Sequence, residues 1–284
     1  MRQTDLPSRS DPAWEGADLL LLTGLHEELE WLHRVFGIEF EGHIRLGTSY
    51  FVGELKRGSR NVRIVTLRQQ EKGLTNSAIT ATKALCTWKP TVAVMTGICA
   101  GVKGSVNLGD LVVATQCFEH SSGQLRDGAI IPLQNRVSTP PWLLNFLMTL
   151  TDSKDLQMQI RNGFGQSIPA DAKPTIHYGS MACGPQVIKD KAYIDNLKNR
   201  EHSLLAIDME SYGISLAASM CSTVSRPIHS LVVKGVCDFA DSAKSDEWHD
   251  YCAYASATFV KAVLDRIFTR DRAYAVIKGV PDHG

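Results

Sequence analysis

The stretch VMTGICAGVKGSVNLGDLVVATQ, Val94–Gln116, decides how the chain is read. An apolar run, Val92–Met95, meets Gly97–Gly101 (GICAG), whose residues are small apart from Ile98. Gly104 and Gly109 follow before a second apolar run, Leu111–Ala114. Short continuous apolar runs bounded by glycine read as strands buried on both faces. The glycines between them read as a loop where backbone N–H groups approach an oxygen-rich ligand, or as tight strand-to-loop packing. The pattern is neither G-x-G-x-x-G nor G-x-x-x-x-G-K-[ST], so no dinucleotide fingerprint or P-loop is implied.

Outward from this stretch, the same alternation repeats. ADLLLLTG (17–24) is a buried strand followed by the helical EELEWLHRVF. SYFVGEL and VRIVTL pair as a hairpin across KRGSRN. TNSAITATKALCTW reads as a helix capped by Thr75 or Asn76 and closed before Pro90. PPWLLNFLMTLTD is helical with prolines at its start, IHYGSMACG and LLAIDMES are strand-like, and ESYGISLAASMC is a helix. IHSLVVKGVCDFAD is the last strong strand and WHDYCAYASATFVKAVLDRIF a long amphipathic helix. The expected fold is α/β: a single-domain three-layer α/β/α with a central mixed, partly barrel-like sheet, spanning 17–270. Residues 1–16 read as a flexible leader and 271–284 as a tail.

Composition narrows the function classes. Thirty basic residues balance thirty acidic ones, which argues against a long basic nucleic-acid surface. The N-terminus lacks the apolar core of a secretory signal, and no run is long enough to span a bilayer, so a cytoplasmic location and no membrane partner are expected. Seven cysteines form no C-x-x-C pair and sit mostly in apolar runs, which suits buried reduced thiols. No His/Cys/Asp cluster has ligand spacing, so neither a metal nor an organic cofactor is expected.

In open α/β sheets ligands sit beyond the carboxyl ends of strands. The groups at those ends are Gly24–Glu28, Gly97–Gly101, Cys183–Ile188, Asp208–Glu210 and Asp238–Asp241. Glu28, early in its helix, is a candidate proton acceptor, against the plain alternative of a solvated helix face. Asp208 and Glu210 flank Met209. They read either as paired carboxylates that accept from a sugar diol or as an acidic start to the next helix. Asp238 ends the most apolar strand, where desolvation would favour its acid form; an N-cap or loop role is the alternative.

The motifs TGLHEEL, GICAGVKGSVNLGDLVVA, GSMACGPQVI, AIDMESYGIS and LVVKGVCDFAD, taken in this order, resemble the nucleoside phosphorylase/nucleosidase superfamily from Leu19 to Phe268. The resemblance implies cleavage of the N-glycosidic bond of a purine nucleoside or nucleotide, without a cofactor, by a homo-oligomer (dimer, trimer or hexamer). It implies Asp238 as the acid at the leaving base, Glu210 gripping the ribose hydroxyls with Met209 beneath the sugar, and Asp208 as the acidic neighbour. Gly97, Ile98, Cys99 and Ala100 fall where backbone meets ribose and nucleophile. Val187, Ile188 and Phe239 fall around the base, with Trp248 as a further aromatic candidate. Ile98 and Met95 stand where phosphorylases of the family carry a phosphate-binding serine and arginine, and Glu28 matches the water-activating glutamate of the nucleosidases. Hydrolysis is therefore expected, with phosphorolysis and a non-catalytic nucleotide sensor as alternatives. The GICAG form resembles phosphorylase-like domains of defence and signalling proteins, which extends the implied substrates to nucleotides. Arg68, Lys72, Lys189 and Lys234 are then candidate phosphate-reading groups, weighed against surface or structural roles.

Overall fold

The computed structural model describes residues 16–45, 47–58, 60–126, 129–132, 135–151, 154–165, 174–188, 190–240 and 246–269. The expected leader and the tail beyond residue 270 lie outside these, apart from Gly16.

A ten-stranded mixed sheet forms the centre, in the order β11-β10-β6-β12-β5-β1-β4-β3-β2 with β9 paired to β6. Its strands are β1 (Leu19–Thr23), β2 (Glu41–Arg45), β3 (Thr48–Arg57), β4 (Arg60–Arg68), β5 (Val92–Gly101), β6 (Leu111–Glu119), β9 (Arg136–Ser138), β10 (Ile176–Cys183), β11 (Leu204–Asp208) and β12 (His229–Asp238). β7 (Gly123–Arg126) and β8 (Ala129–Pro132) form a separate hairpin. β5 runs parallel to β1 and β12 and antiparallel to β11. Because β11 also pairs with β10, the strands β11, β10, β6, β12 and β5 close on themselves. The rest of the sheet remains open, which is the partly barrel-like form expected.

The helices are α1 (His26–Phe36), α2 (Leu74–Trp88), α3 (Pro141–Thr151), α4 (Lys154–Asn162), α5 (Lys191–Arg200), α6 (Ser211–Cys221) and α7 (His249–Thr269). Strand alternation sends Leu19, Leu21, Val92, Val94, Leu231 and Val233 to one face. There they pack with apolar residues of α1, α3, α4 and α7. Leu20, Leu22, Ala93, Met95 and Val232 go to the other face, against α2 and α6. No helix among the described residues is long and apolar enough to cross a membrane.

Two expectations need correction, and three elements carry too little signal to be read from the sequence. GICAG is not a loop: β5 continues through it to Gly101, held by β12 on one side and β11 on the other. The helix α2 starts at Leu74, and its N-cap is Gly73, at φ +110°, rather than Thr75 or Asn76. α4 and α5 were not read from the sequence, because each carries only a sparse apolar stripe: Leu156 and Ile160 in one, Ile194 and Leu197 in the other. β2 was missed as well.

Candidate active site

The carboxyl ends of the closed strands meet at one pocket. Its wall includes Gly24 and Leu25 from the first strand–helix turn and Glu28 from the first turn of α1, Ile98, Cys99 and Ala100 from β5, Asp208 at the end of β11 with Met209 and Glu210 after it, and Cys237 and Asp238 from β12. Gln186, Val187 and Ile188, Lys72 and His249 complete the rim.

Glu28 occupies the place where α1 would otherwise offer bare N–H groups to an anion. It is 3 % exposed. Its Oε2 accepts from the Gly24 N–H at 2.7 Å and the Leu25 N–H at 2.8 Å. Its Oε1 accepts from the Ile98 N–H at 2.8 Å. A carboxylate has about four acceptor positions, so about one is left for a ligand. Gly97 makes this possible. At φ +142° it has no side chain, and a Cβ there would collide with the Glu28 carboxyl group. The Gly97 N–H donates to Ser256 Oγ of α7 at 3.2 Å. Gly97 therefore does not line the pocket; it makes room for a side chain that does.

The two carboxylates of AIDMES divide their work. Asp208 turns back onto α6: its Oδ1 accepts from the Ser211 hydroxyl at 2.6 Å and the Ser211 N–H at 3.1 Å. Its Oδ2 lies 3.5 Å from Lys234 Nζ, with both side chains essentially inaccessible. Glu210 turns the other way. Its Oε1 accepts from the Gly73 N–H at 3.0 Å, while Ser77 Oγ holds its carbonyl at 2.9 Å. Burial, reinforced by the like charge of Asp208, raises the Glu210 pKa above its ordinary value, with Lys234 opposing. Burial alone would lower Lys234, but Glu28, Asp208 and Glu210 together outweigh it and hold the ammonium above the usual lysine range. Lys234 is thus the internal counter-ion of three carboxylates, not a phosphate-reading group.

Asp238 closes β12. Its Oδ1 accepts from the Ala240 N–H at 2.8 Å, and its Oδ2 lies 3.8 Å from Cys237 Sγ. The ladder with β5 shifts between Val236 and Asp238, which pair with Cys99 and Ala100. The bulge at Cys237 lets two consecutive residues reach the same pocket. Phe239 is not on the pocket wall; it packs against the α2–α6 face, with Lys103 Nζ 5.7 Å from its ring centre. Trp248 is likewise off the wall and packs over Gly109 and Tyr251. Val187 lines the rim with 62 % of its surface exposed. Met95 is buried in the core and faces α2 and α6. Of the candidate cations, Lys72 is exposed on the pocket rim, Arg68 is exposed at the end of β4, and Lys189 lies outside the described residues.

Cys99 is on the wall but 4 % exposed, and burial pushes its thiol well up. The low-pKa environment a catalytic cysteine needs is not present there. Burial likewise pushes Cys117 up to about 12. All seven cysteines are free, and five are buried.

Two residues escaped the sequence reading. Gln69 is 2 % exposed, and its Nε2 has no partner among the described residues. A Cβ on Gly24 would sit 3.5 Å from Glu28 Oε2, 3.7 Å from Gln69 Nε2 and 3.7 Å from the Glu210 carboxyl carbon, so the amide shares a corner with both carboxylates. His249 begins α7, eleven residues beyond Asp238, and reaches the same wall. Neither carries a motif; only the fold brings them in.

The family model described as "Phosphorylase superfamily" matches residues 18–269. The chain belongs to the phosphorylase superfamily. Among curated superfamily relatives, the uncharacterized protein y4jS of Sinorhizobium fredii is 30 % identical over 87 % of this chain and 60 % of its own length. An ATP nucleosidase, Cap17, of Escherichia coli is 25 % identical over 89 % of this chain and 52 % of its own. The chain therefore spans between half and two thirds of those relatives. Among solved structures, the 5'-methylthioadenosine/S-adenosylhomocysteine nucleosidase of Helicobacter pylori superposes with a TM-score of 0.70 at 20 % identity, covering 89 % of this chain and all of that one. That likeness shows that the two chains share a fold.

Proposed function

We propose that this chain is a purine nucleoside or nucleotide N-glycosidase that uses water as its nucleophile. The observation that carries the choice of water is the occupancy of the Gly24, Leu25 and Ile98 N–H groups. A phosphate dianion needs donors, and these three already serve the Glu28 carboxylate. What the pocket offers the nucleophile is an acceptor, which suits a water molecule about to lose a proton.

In this reading the water oxygen bonds to C1′ of the ribose as the bond from C1′ to the base nitrogen breaks. Glu28 takes the proton of the water. Asp238 gives its proton to the base, so the leaving group departs neutral. Glu210 accepts hydrogen bonds from the ribose hydroxyls, which strengthen as positive charge grows on the ring. Gln69 Nε2 is a buried donor at the same corner, beside both carboxylates.

The ATP nucleosidase among the relatives supports extending the substrate to nucleotides. Lys72, exposed on the rim, is the lysine or arginine that lines the pocket among the described residues and is the candidate to meet a 5′-phosphate. The test is incubation with adenosine, methylthioadenosine, AMP and ATP in phosphate-free buffer, with free base measured by chromatography. Base release without added phosphate is expected, and Asp238→Asn should abolish most of it while circular dichroism stays unchanged. A strict phosphate requirement would overturn the role of Glu28. A wild type that binds these compounds and cleaves none would favour a sensor.

A further inference from the structure

We propose that Cys237, Asp238 and His249 form a binding site for a thiophilic divalent cation, zinc foremost, and that its occupancy switches off the site by taking Asp238 as a ligand. The binding half stands on geometry alone; the switching half rests on Asp238 being the acid of the proposed reaction.

One ligand atom from each of the three side chains lies within 4.8 Å of both others. Consecutive residues of a regular strand point to opposite faces, so Cys237 and Asp238 could not normally share a metal. The bulge in β12 removes that obstacle. Their separation also fits. Zinc–sulfur and zinc–oxygen bonds of about 2.3 and 2.1 Å at a tetrahedral angle put the two ligand atoms about 3.6 Å apart. Cys237 Sγ and Asp238 Oδ2 are 3.8 Å apart before any metal draws them in. The other Asp238 oxygen is anchored by the Ala240 N–H, which fixes the orientation of the carboxyl group.

A sulfur, nitrogen and oxygen set selects zinc, cobalt or copper over magnesium or calcium, which favour oxygen shells. All three residues line the pocket wall, so the fourth tetrahedral position opens to water or to a substrate atom. On binding, the thiol releases its proton to solvent and the thiolate joins the metal, so affinity falls as pH falls.

The test uses the full chain, stripped with a chelator and titrated anaerobically with cobalt(II). A thiolate-to-cobalt charge-transfer band with intense tetrahedral d–d absorption is expected, both removed by stoichiometric zinc. Cys237→Ser should lose the charge-transfer band, and His249→Ala should weaken cobalt binding tenfold or more. His249→Gln serves if circular dichroism shows the alanine variant unfolded. No band in the wild type, or an undiminished band in Cys237→Ser, overturns the site. In parallel, zinc should suppress base release and a chelator should restore it. A band with unchanged turnover at saturating zinc overturns the switch alone. Full turnover by Asp238→Asn refutes the acid assignment without touching the cobalt result.

Discussion

Lys234 carries the charge balance of the pocket. It sits in mid-strand at 1 % exposure, within 3.5 Å of Asp208 and within electrostatic reach of Glu28 and Glu210. Replacing it with methionine keeps the bulk and removes the charge, leaving three buried carboxylates without their internal cation. Breaking such a pair by removing one partner typically costs about 3–5 kcal/mol. Lys234→Met is expected to lose stability on that scale in urea unfolding; a change under about 1 kcal/mol would refute the counter-ion role. The same cluster sets a pH dependence. In the proposed reaction Glu210 accepts from ribose most strongly when ionised, and its pKa is raised by burial and by Asp208. Activity gained through Glu210 therefore appears as pH rises through that elevated value. The fold's own preference runs the other way: a raised carboxyl pKa contributes stability below the unfolded value and loses it as pH rises through the folded one. The acidic limb of kcat/KM is expected above the ordinary glutamate range, and Asp208→Asn should move it down by removing the like charge. A limb that moves up, or does not move, contradicts that coupling.

At the scale of elements, the extension of β5 through GICAG is decisive. The strand carries the Ile98 N–H to Glu28 and, at Gly97, clears the space that Glu28 fills. Gly97→Ala would impose a collision with the carboxylate and a backbone angle that L-residues rarely adopt. Strain of this kind costs of order 1–3 kcal/mol. We expect a lowered melting temperature together with at least a tenfold loss of turnover in the fraction that remains folded. Gly235→Ala is the comparison: its Cβ would meet Cys252 Cβ at 2.6 Å, behind the pocket, so stability should fall without dislodging Glu28. Wild-type turnover from folded Gly97→Ala would show that Glu28 does not need this clearance. The buried strands and long helices were legible because their apolar runs are continuous or strongly periodic, as in Leu19–Leu22 and Tyr251–Phe268. The β5 extension was not, because glycine, cysteine and alanine carry no strand preference; pairing with β11 and β12 imposes it. The carboxylates Glu28, Asp208, Glu210 and Asp238 were legible through their motifs and strand-end positions. The division of labour between Asp208 and Glu210 was not, since it depends on a lysine in another strand. His249 and Gln69 gave no signal, and the bulge that turns Cys237 into the pocket breaks the alternation from which a sequence reading works.

At the scale of the molecule, the pocket exists only while the strand ring is closed. Glu28 follows β1, Glu210 follows β11, Asp238 ends β12, and the Gly73 N–H that holds Glu210 precedes α2. These groups belong to segments packed on both faces of the sheet, so opening either face disperses the site. Residues 17–270 should then unfold as one unit. Trp31 reports on the α1–α7 face and Trp88 on the α2–α6 face. Urea transitions followed by single-tryptophan variants retaining one or the other should coincide with each other and with far-ultraviolet circular dichroism. A substrate analogue at one hundred times its dissociation constant should stabilise the fold by about 2.7 kcal/mol and shift all three transitions together. Separate midpoints, or a ligand shift confined to one probe, would mean that the two helix layers are independent units and that the pocket is a seam between them.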